Sequence, residues 1–262
     1  MADSKASALT AASALDGTEV VAGVQSAADR KITTAQIVAL AGVSMDASAG
    51  RVFWDDFVFG NTTSGQIGEL GWTFNNGSVA YDNSGNNTTR PGIIRRTSGT
   101  TANQHNGFSP LNSPAQLLHS IVDTFRAGFK VSSTVTVCNL RVGLTNWGGT
   151  DPVLRGVYLE KLAADTNWFY VTKKQSGSVE ARVDSGVAVT LDAWIDLKIR
   201  RITSTSYGFT INGGTESVLN TSAAMPLDTD TCAPGFSITP TTTTARHMEF
   251  DYIGLKTLAV VR

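Results

Sequence analysis

The sequence predicts an all-β protein, a sandwich or barrel, with a small strand–turn–strand–helix segment in front of it. Three observations predict this. Short runs that alternate apolar and polar residues recur from residue 51 to the last residue. Gly, Asn, Ser and Pro separate them, as turn residues separate strands. No convincing long helical period follows residue 40. The composition agrees: of 262 residues 41% are hydrophobic and only 16% charged, so Ser, Thr, Asn and Gly must supply the polar surface. Those residues suit a chain of strands and turns. The length allows one large sandwich plus a short extra element, with a core that needs no disulfide or metal staple.

The elements follow in order. Residues 1 to 18 are Ala- and Ser-rich and end in the turn signal Asp16-Gly17. Glu19 to Val24 reads as a strand, Gln25 to Asp29 as a polar turn and Arg30 to Thr33 as a returning strand. Thr34 can cap a short helix over Ala35 to Leu40, which Gly42 ends. A module this small cannot bury Val20, Val21, Val24, Ile32, Ile37, Val38 and Leu40 by itself. These residues are therefore candidate docking and oligomerisation contacts. Residues 44 to 50 form a small-residue linker, which divides the chain into segments 1–50 and 51–262.

Beyond the linker, strands are predicted over Ile121 to Lys130, Ser133 to Leu144, Gly156 to Leu162, Trp168 to Lys173, Val179 to Val183, Trp194 to Ile202, Tyr207 to Ile211, Gly235 to Ile238 and Met248 to Val261. In Trp194 to Arg200, Ile195, Leu197 and Ile199 share one face; Trp194, Asp196, Lys198 and Arg200 share the other. Asn212-Gly213-Gly214 reads as a hairpin turn. Ser113 to Ser120 reads as a helical turn. No fixed-period repeat, collagen-like stretch or heptad is evident.

Charge and motifs exclude several function classes. The formal net charge is −1, so no basic field exists to neutralise phosphates, and no polybasic cluster marks a membrane surface. Arg95-Arg96 and Arg200-Arg201 are expected as solvated strand residues. No signal peptide or membrane-spanning apolar run is seen, so no membrane association is expected. Cys138 and Cys232 fall in strand-like segments and are expected as buried, reduced thiols. The sequons at Asn61, Asn76, Asn87 and Asn220 mean little without secretion through a glycosylating pathway. Phosphate loops, dinucleotide fingerprints, nucleophile elbows and Cys or His pairs at zinc spacing are all missing, so neither metal nor cofactor is expected. His105, His119 and His247 stand near no such motif. The loop Asn83 to Asn87 has only Asp82 as a charged calcium ligand and reads as a plain loop.

Two stretches resemble known families. Leu15 to Gln25, followed by Lys31 to Ile37, is similar to the N-terminal virion-attachment segment of many bacteriophage tail and fibre proteins. Trp54-Asp55-Asp56-Phe57, Trp194 to Arg201, the hairpin Tyr207 to Gly214 and the strand Met248 to Leu255 together resemble the concanavalin A-like lectin/glucanase sandwich. The second resemblance implies a jelly-roll sandwich in which the Asp251-Tyr252-Ile253-Gly254-Leu255 strand closes the fold beside the Trp54 segment. The glucanase branch needs an acid and a nucleophile projecting from one strand face. Here Glu249 and Asp251 are expected on one face, but Ile253 or Leu255 fills the third acidic position. Both carboxylates are therefore expected to be structural or solvated, and no catalytic residue is assigned.

Sugar binding joins an aromatic platform to polar groups, since a sugar offers an apolar C–H face and a rim of hydroxyls. Two predicted loops have that composition: Asn146 and Trp147 with Asp151, and Asp165 and Asn167 with Trp168. The tryptophans can equally cap the core. The expectation is a non-enzymatic phage structural protein, assembled into the virion in the bacterial cytoplasm. It would be a fibre, spike or capsid decoration that displays a lectin-like domain for host-surface attachment. Its expected partners are two copies of itself in a homotrimer, other capsid or tail proteins, and a host-surface glycan. The alternatives are a receptor-binding lectin and a polysaccharide-degrading glycosidase.

Overall fold

The structure, a computed structural model, describes residues 20–25, 28–33, 52–55, 72–75, 79–80, 93–98, 100–102, 106–110, 117–132, 136–146, 155–174 and 180–258. The chain divides into two compact units, Met1–Arg51 and Val52–Arg262. In the first, β1 (Val20–Gln25) and β2 (Ala28–Thr33) pair antiparallel, from Val20 opposite Thr33 to Gln25 opposite Ala28. The returning strand thus starts two residues earlier than expected, and Gln25, Ala28 and Asp29 belong to the ladder and not to a turn. Val20, Val21, Val24 and Ile32 stand in this hairpin. Ile37, Val38 and Leu40 lie outside the described residues.

The second unit is a jelly-roll of two antiparallel sheets. Its strands begin with β3 (Val52–Asp55), β4 (Trp72–Asn75), β5 (Val79–Ala80), β6 (Ile94–Thr97), β7 (Asn106–Pro110), β8 (Leu117–Leu118) and β9 (Val122–Val131). They continue with β10 (Cys138–Asn146), β11 (Arg155–Lys161), β12 (Asn167–Lys173), β13 (Glu180–Ala188) and β14 (Trp194–Thr203). The last are β15 (Ser206–Ile211), β16 (Ser217–Leu219), β17 (Thr231–Pro240) and β18 (His247–Thr257). Sheet I has the order β16-β15-β14-β9-β18-β6-β5, with β3 also on β18. Sheet II has the order β13-β12-β11-β10-β17-β7-β4, with β8 also on β17. Neighbours in space such as β10 and β17 are far apart in sequence, as a jelly-roll requires.

Period-two alternation builds the core. Along β14, Ile195, Leu197 and Ile199 are buried between the sheets, as their spacing predicts. Aromatic rings lock the layers: Phe236 of sheet II stacks on Phe250 of sheet I at 3.9 Å, and Trp168 meets Phe129 edge-on at 5.6 Å. Burying each such ring stabilises the fold by roughly 1.5–3 kcal/mol. Cys138 and Cys232 are buried and unbridged. Burial pushes the Cys232 thiol up to about 12, so it stays protonated at neutral pH. Of the helical turn expected over Ser113 to Ser120, residues 113–116 lie outside the described residues, Leu117–Leu118 form the strand β8, and only the end falls in a short 3-10 segment, His119–Ile121. Asn212 and Gly213, with φ of 51° and 68°, make the tight turn after β15, closed by the Gly214 N–H donating to the Ile211 carbonyl at 3.0 Å. Arg95, Arg200 and Arg201 stand on strands, as expected, and are not left as isolated solvated charges. They pair with Glu249, Glu216 and Asp228 respectively.

Candidate functional site

The two loops expected to hold sugar do not come together. Asn146 pairs with Arg155 at one end of sheet II, whereas Asn167 opens β12 near the opposite end, where Glu160 faces Phe169. Asn146 donates its side-chain N–H to Thr231 Oγ1 at 3.2 Å. Trp147 and Asp151 lie outside the described residues. In the other loop Asp165 accepts from the Leu162 N–H and pairs with Arg182, and Asn167 donates to Asp184. Trp168 is only 1% exposed, with its ring against Phe129. It caps the core and offers no face to a ligand, which corrects its assignment as a sugar platform. The stretch 83–87 also lies outside the described residues.

Glu249 and Asp251 are not related by simple alternation. The register of β18 against β9 shifts at Asp251, so that Glu249 faces Lys130 and Tyr252 faces Gly128. Tyr252 takes the position on Glu249's side of the sheet that strict alternation gives to Asp251. Glu249 is 1% exposed and held by Arg95 at 2.7 Å and Lys130 at 2.9 Å. Burial pushes its carboxyl up, but hydrogen bonds from Lys130 and Arg95 outweigh that and hold it below the usual carboxylate range. A general acid for glycosidic cleavage needs the opposite, a raised pKa and access to the leaving oxygen.

An aromatic platform does exist, on the outer face of sheet I. The edge strand β3 pairs with β18, placing Trp54 opposite Gly254. The closing Tyr252–Leu255 segment therefore does lie beside the Trp54 segment. Trp54 stacks on Tyr252 with ring centroids 4.6 Å apart and planes at 16°, and stays 46% exposed. Two glycines make room for the rings. A Cβ at Gly254 would sit 2.4 Å from the Trp54 ring, and one at Gly128 would sit 2.5 Å from the Tyr252 ring. The Tyr252 hydroxyl donates to Asp196 at 2.5 Å. Burial and this carboxylate hold the phenol well above its usual pKa, so it remains a donor.

Beside the platform, the same face opens into a cleft of about 540 Å³ whose lining includes Arg126, Asp196, Lys198, Arg200 and Glu216. Arg200 clasps Glu216 through two hydrogen bonds of 3.1 and 2.7 Å, which hold the Glu216 carboxyl below its usual range. The Asn212–Gly213 turn borders the cleft, and Asn212 Oδ1 accepts from the Asp196 N–H at 2.7 Å. Aromatic face, donors and acceptors thus stand together on one rigid sheet. The available sequence signal was the pair of glycines inside otherwise alternating strands. Among the described residues, no group of His, Cys, Asp and Glu is placed to hold a metal ion, and no helix is long and apolar enough to cross a membrane.

Comparison with known proteins places this geometry. Residues 89–251 match the family described as SO2946-like, C-terminal domain, and the chain belongs to that family. The crystal structure of the protein of unknown function SO2946 from Shewanella oneidensis MR-1 is similar with a TM-score of 0.61 at 19% identity, over 88% of this chain and 97% of that one. The Bacillus licheniformis β-glucanase is similar with a TM-score of 0.50 at 13% identity, over 78% of this chain and 97% of that one. The CBM2 module of Lactobacillus casei BL23 phage J-1 evolved Dit is similar with a TM-score of 0.50 at 13% identity, over 81% and 97% respectively. These likenesses show the concanavalin A-like/glucanase jelly-roll fold. No curated protein matches the chain.

Proposed function

We propose that this member of the SO2946-like C-terminal domain family is a non-enzymatic virion structural protein, a fibre, spike or capsid decoration, whose sandwich binds a glycan on the host surface. The observation that carries the binding role is the exposed Trp54 ring, stacked on Tyr252 beside a polar cleft. A sugar ring placed on the indole would lay its C–H face there and turn its hydroxyls toward the cleft. Two further points support the reading. The N-terminal segment resembles phage attachment segments, and one protein of the same fold is a module of a phage Dit. Against catalysis stands Glu249, which is enclosed by two cations and lacks a partner acid. The particle role also implies a homotrimer docked through residues 1–50.

A glycan array combined with a turnover assay on the full chain tests this. Binding without cleavage, lost in Trp54→Ala while the fold is retained, is expected. Release of reducing ends would overturn the non-enzymatic reading, and absence of binding would overturn the glycan reading.

A further inference from the structure

We infer that the glycan taken by this face is acidic, a polymer whose sugars carry carboxylates. The inference rests on the glycan-binding reading above and adds the class of ligand. It follows from a single cross-strand row. Trp54 stands opposite Gly254, Gly254 opposite Arg126, and Arg126 opposite Lys198. Arg126 is exposed and lines the cleft with Lys198. Two cations directly opposite each other on neighbouring strands repel, a placement that costs stability unless something neutralises them. Other cations of this sheet do have carboxylate partners: Arg200, in the same cleft, has Glu216, Arg201 has Asp228, and Lys256 has Asp123. Among the described residues neither Arg126 nor Lys198 has an ion-pair partner. The cleft's carboxylates offset these charges only in part: Glu216 is clasped by Arg200 and also feels Lys198, Asp196 accepts from the Tyr252 hydroxyl, and against these two stand the three cations Arg126, Lys198 and Arg200.

The spacing fits an oligosaccharide. Trp54 and Lys198 are three strand spacings apart, about 14 Å, a span of roughly two or three linked sugar rings. One ring stacks on Trp54. The next places its carboxylate between the Arg126 fork, which can bind it through two parallel N–H donors, and the Lys198 ammonium. Thr210 and Asp196 line the same cleft and face the sugar hydroxyls.

Binding of the full chain to immobilised polygalacturonate, alginate, laminarin and dextran tests the inference, with dextran sulfate as a polyanion control. A polyuronate should bind and the two neutral glucans should not. Arg126→Gln with Lys198→Gln should weaken that binding at least about ten-fold, the scale of a lost charge-assisted contact. Arg126→Lys with Lys198→Arg should retain most of it, and unchanged circular dichroism would confirm that the variants fold. Equal binding of neutral and acidic polymers, untouched by the double Gln variant, would overturn the inference and leave the glycan reading standing. Dextran sulfate binding as tightly as the polyuronates, with Trp54→Ala inert, would reduce the effect to unspecific charge and overturn it too. If no polymer binds, both readings fall.

Discussion

Glu249 sits where the sheet face is most tightly wired. Arg95 reaches it from β6 and Lys130 from β9, with the Lys130 ammonium also 5.4 Å from the Trp194 ring centre. A carboxylate so held serves the fold: it lets two cations lie against a buried stretch of sheet. Glu249→Gln keeps the shape and some hydrogen bonding but removes the charge that Arg95 and Lys130 share, leaving Lys130 only the longer contact to Asp192 at 3.9 Å. The expected cost is about 1–3 kcal/mol in chemical denaturation, with glycan binding unchanged. Loss of a hydrolytic activity in this variant would contradict the structural role assigned here. This residue also shows where sequence reading stops. The missing third acid is legible from the sequence, because it needs only the spacing within one strand. The bulge at Asp251 is not, because it is fixed by the pairing of β18 with a strand over 100 residues away.

At the scale of elements, the short turn His119–Ile121 between β8 and β9 carries a buried histidine. His119 is fully buried, with Nδ1 3.0 Å from the Tyr207 hydroxyl. Burial is the main cause that lowers its pKa from 6.5 to about 4. The folded state therefore binds this proton less readily than the unfolded state. The histidine's contribution is fully present above about pH 6.5 and is lost as pH falls toward 4, amounting to about 3 kcal/mol. Denaturation curves taken across that window should fall more steeply for the natural protein than for His119→Gln, and identical slopes would refute the assignment. Strands such as β14 were legible because alternation alone sorts their faces. The Trp54 platform was legible only in part: the resemblance sets the Trp54 segment beside the closing strand, but the stacking of Trp54 on Tyr252 depends on room left by Gly128 and Gly254 on separate strands. Trp168 misleads for a related reason. Its neighbours Asp165 and Asn167 have loop composition, but the residue is the second of β12 and its parity points it inward against Phe129.

For the whole molecule, the two units differ in how far they can support themselves. The sandwich closes its own core across both sheets, so residues 51–262 should fold alone, giving a strand-dominated far-UV spectrum. The first unit is different. Its described part is one hairpin of two six-residue strands, and an isolated two-stranded hairpin is marginal in water. The sequence of this segment supplies Val20, Val21, Val24, Ile32, Ile37, Val38 and Leu40 as apolar candidates for contacts with other copies. Association around a three-fold axis would bury them with every copy in the same environment and leave no open end to propagate. We therefore expect light scattering to give three copies for the full chain and one for a chain lacking residues 1–50. The shortened chain should keep its sandwich and its glycan binding per copy while failing to enter particles. Avidity should separate the two further, because three tethered sites hold a polymer far longer than one. A strictly monomeric full chain, or normal incorporation of the shortened one, would refute the docking and trimer roles of this segment while leaving the sandwich's sugar face intact.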